Sequence, residues 1–302
     1  MMFYSKFYRR YFILTIGLAI ASILFASCTP KPNSSPGQLV SQSTKTAVLK
    51  VGSRNSTTED VLKFIQKEIA SSHGLDFQIV TIADSVKIND ALKSGEIDAN
   101  FFQHEPFMKQ AAKRLNADFV MLNRSYTTIT GLYSKRLKIK SLNEIPIGAT
   151  IAISNDDSNQ DRALKFLKHI DLINLKEKPG EYYSIKDIIK HPKNLQIKEL
   201  DNYAIVRALD DLDLAVTSAS FLVQAKVSLN PIVLDEIGMA NKNYAVGLAT
   251  VQSKVNYPNI QKLNQLVVDP KLKDYINNYL KGTMPSLRDA TRTAGYAYAP
   301  VF

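Results

Sequence analysis

From residue 47 onward, short β-branched runs alternate with segments of helical period, and the alternation pauses near Gly131 and then begins again. A strand-helix-strand-helix order carries parallel strands through helical crossovers, and such strands need cover on both faces of their sheet. Two such series predict an α/β chain of two lobes. In the first, strands are expected at 47–51, 77–82, 99–102 and 119–122. Ser56 followed by Glu59 reads as a capping box, Val61, Leu62, Ile65 and Ile69 share a helix face, and Gly95 stops the helix at 86–93. The second gives strands at 149–153, 195–200 and 214–217 and helices at 158–170, 203–209 and 220–225. A strand at 245–250 and two helices follow. The chain passes between the units near 128–133 and 244–247, so lobe 1 takes 47–130 plus 246–287, lobe 2 takes 131–245, and 288–302 is a tail. The sheets should be parallel or mostly so. Ligands of open α/β sheets lie outside the carboxyl ends of the strands, which makes the cleft between lobes the natural site.

The N-terminus is of another kind. Lys6, Arg9 and Arg10 precede an apolar run that ends at Ala26, Ser27 and Cys28, the only cysteine in 302 residues. This reads as a lipoprotein signal over 1–27, with Cys28 the lipidated first residue of the mature chain; Phe25 stands where such signals usually carry Leu. An uncleaved signal anchor is the alternative. Residues 28–46, rich in Pro, Ser, Gln and Thr, form a tether, and the protein is expected on a bacterial membrane in the cell envelope, at its extracytoplasmic face. With one cysteine there is no internal disulfide, so burial must stabilise the fold. Net charge is +10, and three of those charges lie in the signal, which leaves +7. The basic residues are mixed with acids, and no zinc-finger, P-loop or RNA-binding signature accompanies them, which argues against a nucleic-acid partner.

The most specific segment runs Gly95-Glu96-Ile97-Asp98-Ala99-Asn100-Phe101-Phe102-Gln103-His104-Glu105-Pro106-Phe107, preceded by Asn89-Asp90-Ala91-Leu92. With Gly131-Leu132-Tyr133-Ser134-Lys135, the stretch from Ile153 to Leu164 and Arg207-Ala208-Leu209-Asp210-Asp211, it resembles the signature of the NlpA family, the methionine-binding lipoproteins of ABC importers. The matches keep order and spacing over 48–285. The resemblance implies a two-lobed, periplasmic-binding-protein-like (type II) fold that captures L-methionine, or a related amino acid, between its lobes and delivers it to a permease and ATPase.

The same resemblance distributes the roles. Phe102 and His104 surround the ligand's side chain; strand alternation independently turns one of the two adjacent Phe residues into the lobe core, and Phe101 is the one expected there, with both in the core as the alternative. Arg162, in the first turns of a helix, holds the α-carboxylate with Asn159 and Asn155 as polar neighbours; a guanidinium fork suits a carboxylate, and the helix N-terminus reinforces it. An ion pair of Arg162 with Asp161 or Glu177 is the bland reading, and Arg162→Ala should abolish binding without unfolding the protein. Two departures stand out. In Tyr244-Ala245-Val246-Gly247-Leu248, Val246 replaces an asparagine common in the family, and Ser85 stands where many members have Tyr. Asn241, Asn243 and Ser218 are the neighbours that could compensate for the first.

An enzyme is not expected. His104 and Glu105 are adjacent, but no second histidine follows at metal spacing, and there is no Gly-x-Ser-x-Gly elbow. No metal or cofactor is assigned. The alternatives are a surface lipoprotein that keeps the fold as an interaction module, or a binder of methionine-containing dipeptides.

Overall fold

The computed structural model describes residues 48–283. The signal, Cys28, the tether and the tail fall outside the described residues.

The first series is laid down as β1 (Leu49–Ser53), α1 (Ser56–Phe64), β2 (Phe77–Thr81), α2 (Lys87–Ser94), β3 (Ala99–Gln103), α3 (Glu105–Leu115) and β4 (Phe119–Thr127). The chain then enters a second sheet through β5 (Thr130–Tyr133) and continues with β6 (Thr150–Ser154) and α4 (Asp157–His169). A small ribbon of β7 (Asn174–Leu175) and β8 (Ile188–Lys190) intervenes before β9 (Gln196–Leu200), α5 (Asn202–Ala208), β10 (Leu214–Ser218) and α6 (Ala219–Gln224). After β11 (Val233–Leu234) and α7 (Glu236–Ala240), β12 (Ala245–Val251) returns to the first sheet, followed by α8 (Pro258–Leu266) and α9 (Pro270–Thr283).

Strand order is β2-β1-β3-β12-β4 in one sheet and β11-β5-β10-β6-β9 in the other. β12 runs antiparallel to β3 and β4, and β5 runs antiparallel to β10 and β11. Each sheet therefore holds four strands of one direction and one reversed. The reversed strand is in each case the one arriving from the other sheet.

Both sheets are covered on both faces. Against one face of the first sheet, Val61, Leu62, Ile65 and Ile69 pack with Phe77, Phe101, Leu263 and Ile276, while Ile88, Leu92, Ile97 and Met108 cover the other. In the second sheet, Leu164 and Leu167 pack on Ile151 and Ile153, opposite Ile205, Leu209 and Leu222.

Several boundaries differ from the sequence reading. The cap of α1 is Asn55, not Ser56: its side chain accepts from the Thr58 backbone, and the Thr58 hydroxyl answers the Asn55 N–H. Glu59 is drawn instead to Lys63 at 2.6 Å. What reads as a bare crossing at 128–133 includes β5, and β7, β8, β11 and α7 are too short to show a period.

Part of the specific motif turns out to be framework. Asn89, Asn100 and Gln103 form a closed amide cluster with four bonds of 2.9–3.1 Å, all three side chains buried. It ties α2 to the end of β3, so that residue 104 leaves the strand at a fixed point. Asn89→Leu would strand one amide group on each partner, and we expect a loss of about 3 kcal/mol in stability by urea unfolding.

Candidate functional site

The carboxyl ends of β1, β3, β6 and β10, with the first residue of α5, converge on one cavity of about 100 Å³. The first unit contributes Arg54 and Asn55 after β1, and Phe102, Gln103, His104 and Phe107 at the end of β3 and start of α3. The second contributes Ser154, Asn159, Arg162, Asn202, Thr217 and Ser218.

The two sides already touch. His104 caps α3, its Nδ1 accepting from the Phe107 backbone at 3.2 Å, so its proton must sit on Nε2, which donates to Asn159 Oδ1 at 3.1 Å. Burial pushes the imidazole pKa down to about 4, with Arg162 adding to the effect and the Asn159 bond opposing it. His104 is thus neutral at pH 7. Asn159 is itself held by Asp156, the cap of α4, which takes the Asn159 amide at 2.8 Å as well as bonds from Ser154, Ser158 and Asn202. Burial pushes the Asp156 carboxyl up, but those hydrogen bonds outweigh it and hold the pKa below the ordinary carboxylate range. Two contacts lie beside the clasp: Gln110 Nε2 donates to Asp157 at 2.6 Å, and the Tyr182 hydroxyl donates to the Pro106 carbonyl at 3.2 Å.

Arg162 is buried, with 5% of its side chain exposed, and its Nε donates to Asp235 Oδ2 at 2.7 Å; Asp235 is 3% exposed. Its guanidinium lies 4.7 Å over the Tyr244 ring, which also meets His104 edge to face. Among the described residues, Nη2 has no hydrogen-bond partner. An arginine in the cavity wall, oriented from behind by a carboxylate and an aromatic face, with a buried donor left open, is a seat for an anionic oxygen. Asp235 is the partner here rather than Asp161, which pairs with Lys165, or Glu177, which pairs with Lys168. A Cβ on Gly238 would stand 1.9 Å from Asp235 Oδ2 and 2.6 Å from Arg162 Nε. Gly238→Ala should therefore displace the pair and weaken ligand binding by about 2 kcal/mol, roughly thirtyfold, in calorimetric titration.

Of the residues expected from sequence, Phe102, His104, Asn159, Arg162 and Ser218 come together in the cavity wall. Phe101 is buried in the first unit's core. Asn155 and Asn243 are exposed and line no part of the cavity: Asn155 lies at the exit of β6 before the cap turn, and Asn243 lies in the short turn ahead of β12. Asn241 borders a smaller hollow with Asp235 and Tyr244. Val246 does line the cavity, whereas Ser85 borders a separate depression with Phe107 and Arg114. Sequence reasoning missed Arg54, Asn202, Thr217 and Phe221; Arg54 and Thr217 stand at carboxyl ends of strands, which is the signal that could have found them. Among the described residues, no group of three or more His, Cys, Asp or Glu is placed to hold a metal ion.

Comparison with known proteins gives this geometry a context. A family model described as NlpA lipoprotein matches residues 49–286. The D-methionine-binding lipoprotein MetQ of Escherichia coli K12 is 32% identical over 236 residues, covering 78% of this chain and 86% of that protein. Lipoprotein 28 of the same organism is 34% identical over 259 residues, covering 84% and 89%. Among solved structures, a nutrient binding protein from Burkholderia cenocepacia bound to methionine superposes with a TM-score of 0.73 at 33% identity, over 78% of this chain and 98% of that one.

Proposed function

Because the chain belongs to the NlpA lipoprotein family, we propose that it is a solute-binding protein that captures L-methionine or a related amino acid in the cleft and delivers it to an ABC importer. The observation that carries the reading is Arg162, buried in the cavity wall with Nη2 unpartnered, where a ligand α-carboxylate would complete its hydrogen bonding. Phe102 and Phe107, edge to face at 6.1 Å, supply an apolar wall on which a thioether packs at about 0.3 to 1.5 kcal/mol per contact. Ser218 and Thr217 are the hydroxyl groups nearest in kind to the polar partner that Val246 lacks, and the buried Thr217 hydroxyl has no partner of its own among the described residues.

Binding, not catalysis, is the role this arrangement supports. The lobes meet through residues on both cleft walls, so a ligand touching Phe102 and Arg162 stabilises the closed state, with hinges at the two crossings near 128–133 and 244–247. Lipidation at Cys28 would hold the protein at the membrane beside its permease. Calorimetric titration of protein freed of copurified ligand by unfolding and refolding, against L-methionine and a panel of amino acids and dipeptides, tests the reading. It predicts binding at micromolar concentration or tighter, about 8 kcal/mol or more. Silence across the panel from a folded protein would overturn it in favour of an interaction module.

A further inference from the structure

Four side-chain amides line the cavity, those of Asn55, Gln103, Asn159 and Asn202, and the oxygens of the first three are taken. Asn55 Oδ1 accepts from the Thr58 backbone, Gln103 Oε1 from Asn89, and Asn159 Oδ1 from His104. Asn202, half-buried at the start of α5, is the exception: the one hydrogen bond of its side chain among the described residues runs from Nδ2 to Asp156 Oδ2 at 3.2 Å. That bond fixes which way the amide points. An ionised carboxylate only accepts, so the nitrogen of Asn202 must face Asp156, and Oδ1 is turned away from it. Asp156 stays ionised, because burial opposes the charge but the bonds from Ser154, Asn159 and Ser158 outweigh it. All of its hydrogen-bond partners are neutral donors. Donation to a carboxylate polarises an amide and makes its oxygen a stronger acceptor. No aspartate or glutamate is among the described residues that line the cavity, so this relayed charge is the form in which a carboxylate stands behind its wall.

We infer that Asn202 is a specificity-determining residue that selects ligands with a free α-amino group: its Oδ1 accepts from the ligand's ammonium, with Asp156 behind it as the opposing charge. This rests on the amino-acid reading above, in which the α-carboxylate lies on Arg162, and assigns the other half of the zwitterion. Asn202 thus supplies an acceptor where Val246 supplies none. The hydroxyls of Thr217 and Ser218 belong to the same cavity, but among the described residues neither is bonded to a carboxylate.

The test is calorimetric titration of the wild type, Asn202→Ala and Asn202→Leu, freed of copurified ligand, with L-methionine, with 4-(methylthio)butanoate, which lacks the amine, and with N-acetyl-L-methionine, which masks it. The wild type should bind L-methionine about a hundredfold or more tighter than either analogue. Both variants should weaken L-methionine about tenfold while moving 4-(methylthio)butanoate by less than about twofold, so that the preference narrows. A residue that served the fold alone would weaken the two ligands alike. Equal loss for both ligands in the variants, unchanged L-methionine affinity in them, or a wild type that binds 4-(methylthio)butanoate as tightly as L-methionine would overturn the inference while leaving capture in the cleft intact. No binding of any of the three to folded wild-type protein would remove both.

Discussion

Replacing Arg162 by alanine is expected to lower amino-acid affinity by about 4 kcal/mol, roughly a thousandfold, because the proposed site would lose its buried, charge-assisted hydrogen bonding to a ligand carboxylate. The structure revises one part of the sequence expectation for this variant. Asp235 is 3% exposed beside Arg162, and with Arg162 gone its side chain keeps, among the described residues, only the Gly238 N–H at 2.9 Å. An unpaired buried carboxylate is destabilising by about 3 kcal/mol or more, so Arg162→Ala should also lower the unfolding midpoint. The double variant Arg162→Ala, Asp235→Ala separates the two effects. It should recover most of the stability and none of the affinity. Recovery of binding in the double variant would show that Arg162 serves the fold alone.

The second large effect is expected on acidification. His104 is neutral in the closed cleft, with a pKa pushed down to about 4, while exposed imidazoles titrate near 6.5. Above pH 6.5 both open and closed forms are neutral at this position and the full stability of the clasp is present. Below it the open form takes up the proton first, and closure loses about 1.4 kcal/mol per pH unit until the closed form also protonates near pH 4. Protonation at Nδ1 would set two donors, imidazolium and Phe107 N–H, against each other. Asp156, whose carboxyl is lowered, contributes stability that is lost only below the ordinary carboxylate range, so it does not act in this window. Ligand affinity should therefore fall about thirtyfold between pH 7.5 and pH 5, and His104→Gln should bind more weakly at pH 7 with a flat profile over the same range. Equal pH dependence in the two proteins would rule out His104 as its source.

How much of this was legible in the sequence depends on the period of each element. The long β/α series announced itself because Val61, Leu62, Ile65 and Ile69 fall on one face, and because Gly95 takes the left-handed conformation that ends a helix. Strands of two to four residues, such as β5 and β11, are too short to display alternation, and the reversed direction of β12 depends on pairing with β3 and β4 that no local signal encodes. At the cavity, Arg162 and Asn159 share one wall because they sit three residues apart on one helix. Asp235 was not legible, since 73 residues separate it from Arg162 and only the folding of α7 against α4 brings them together. The motif around Asn100 and Gln103 reads as a ligand signature in sequence, yet its amides bond to one another and to Asn89, which fixes the strand end from which His104 projects. Asn155 and Asn243 are the opposite case: each is a neighbour of site residues in the chain but is exposed and outside the cavity lining.

The most direct measurement is a crystal structure of the protein with a bound amino-acid ligand. The account predicts electron density in the cavity between the two sheets, with a carboxylate within hydrogen-bond distance of Arg162 Nη2 and the side chain against Phe102 and Phe107. A ligand bound elsewhere, or one whose carboxylate turns away from Arg162, would contradict it.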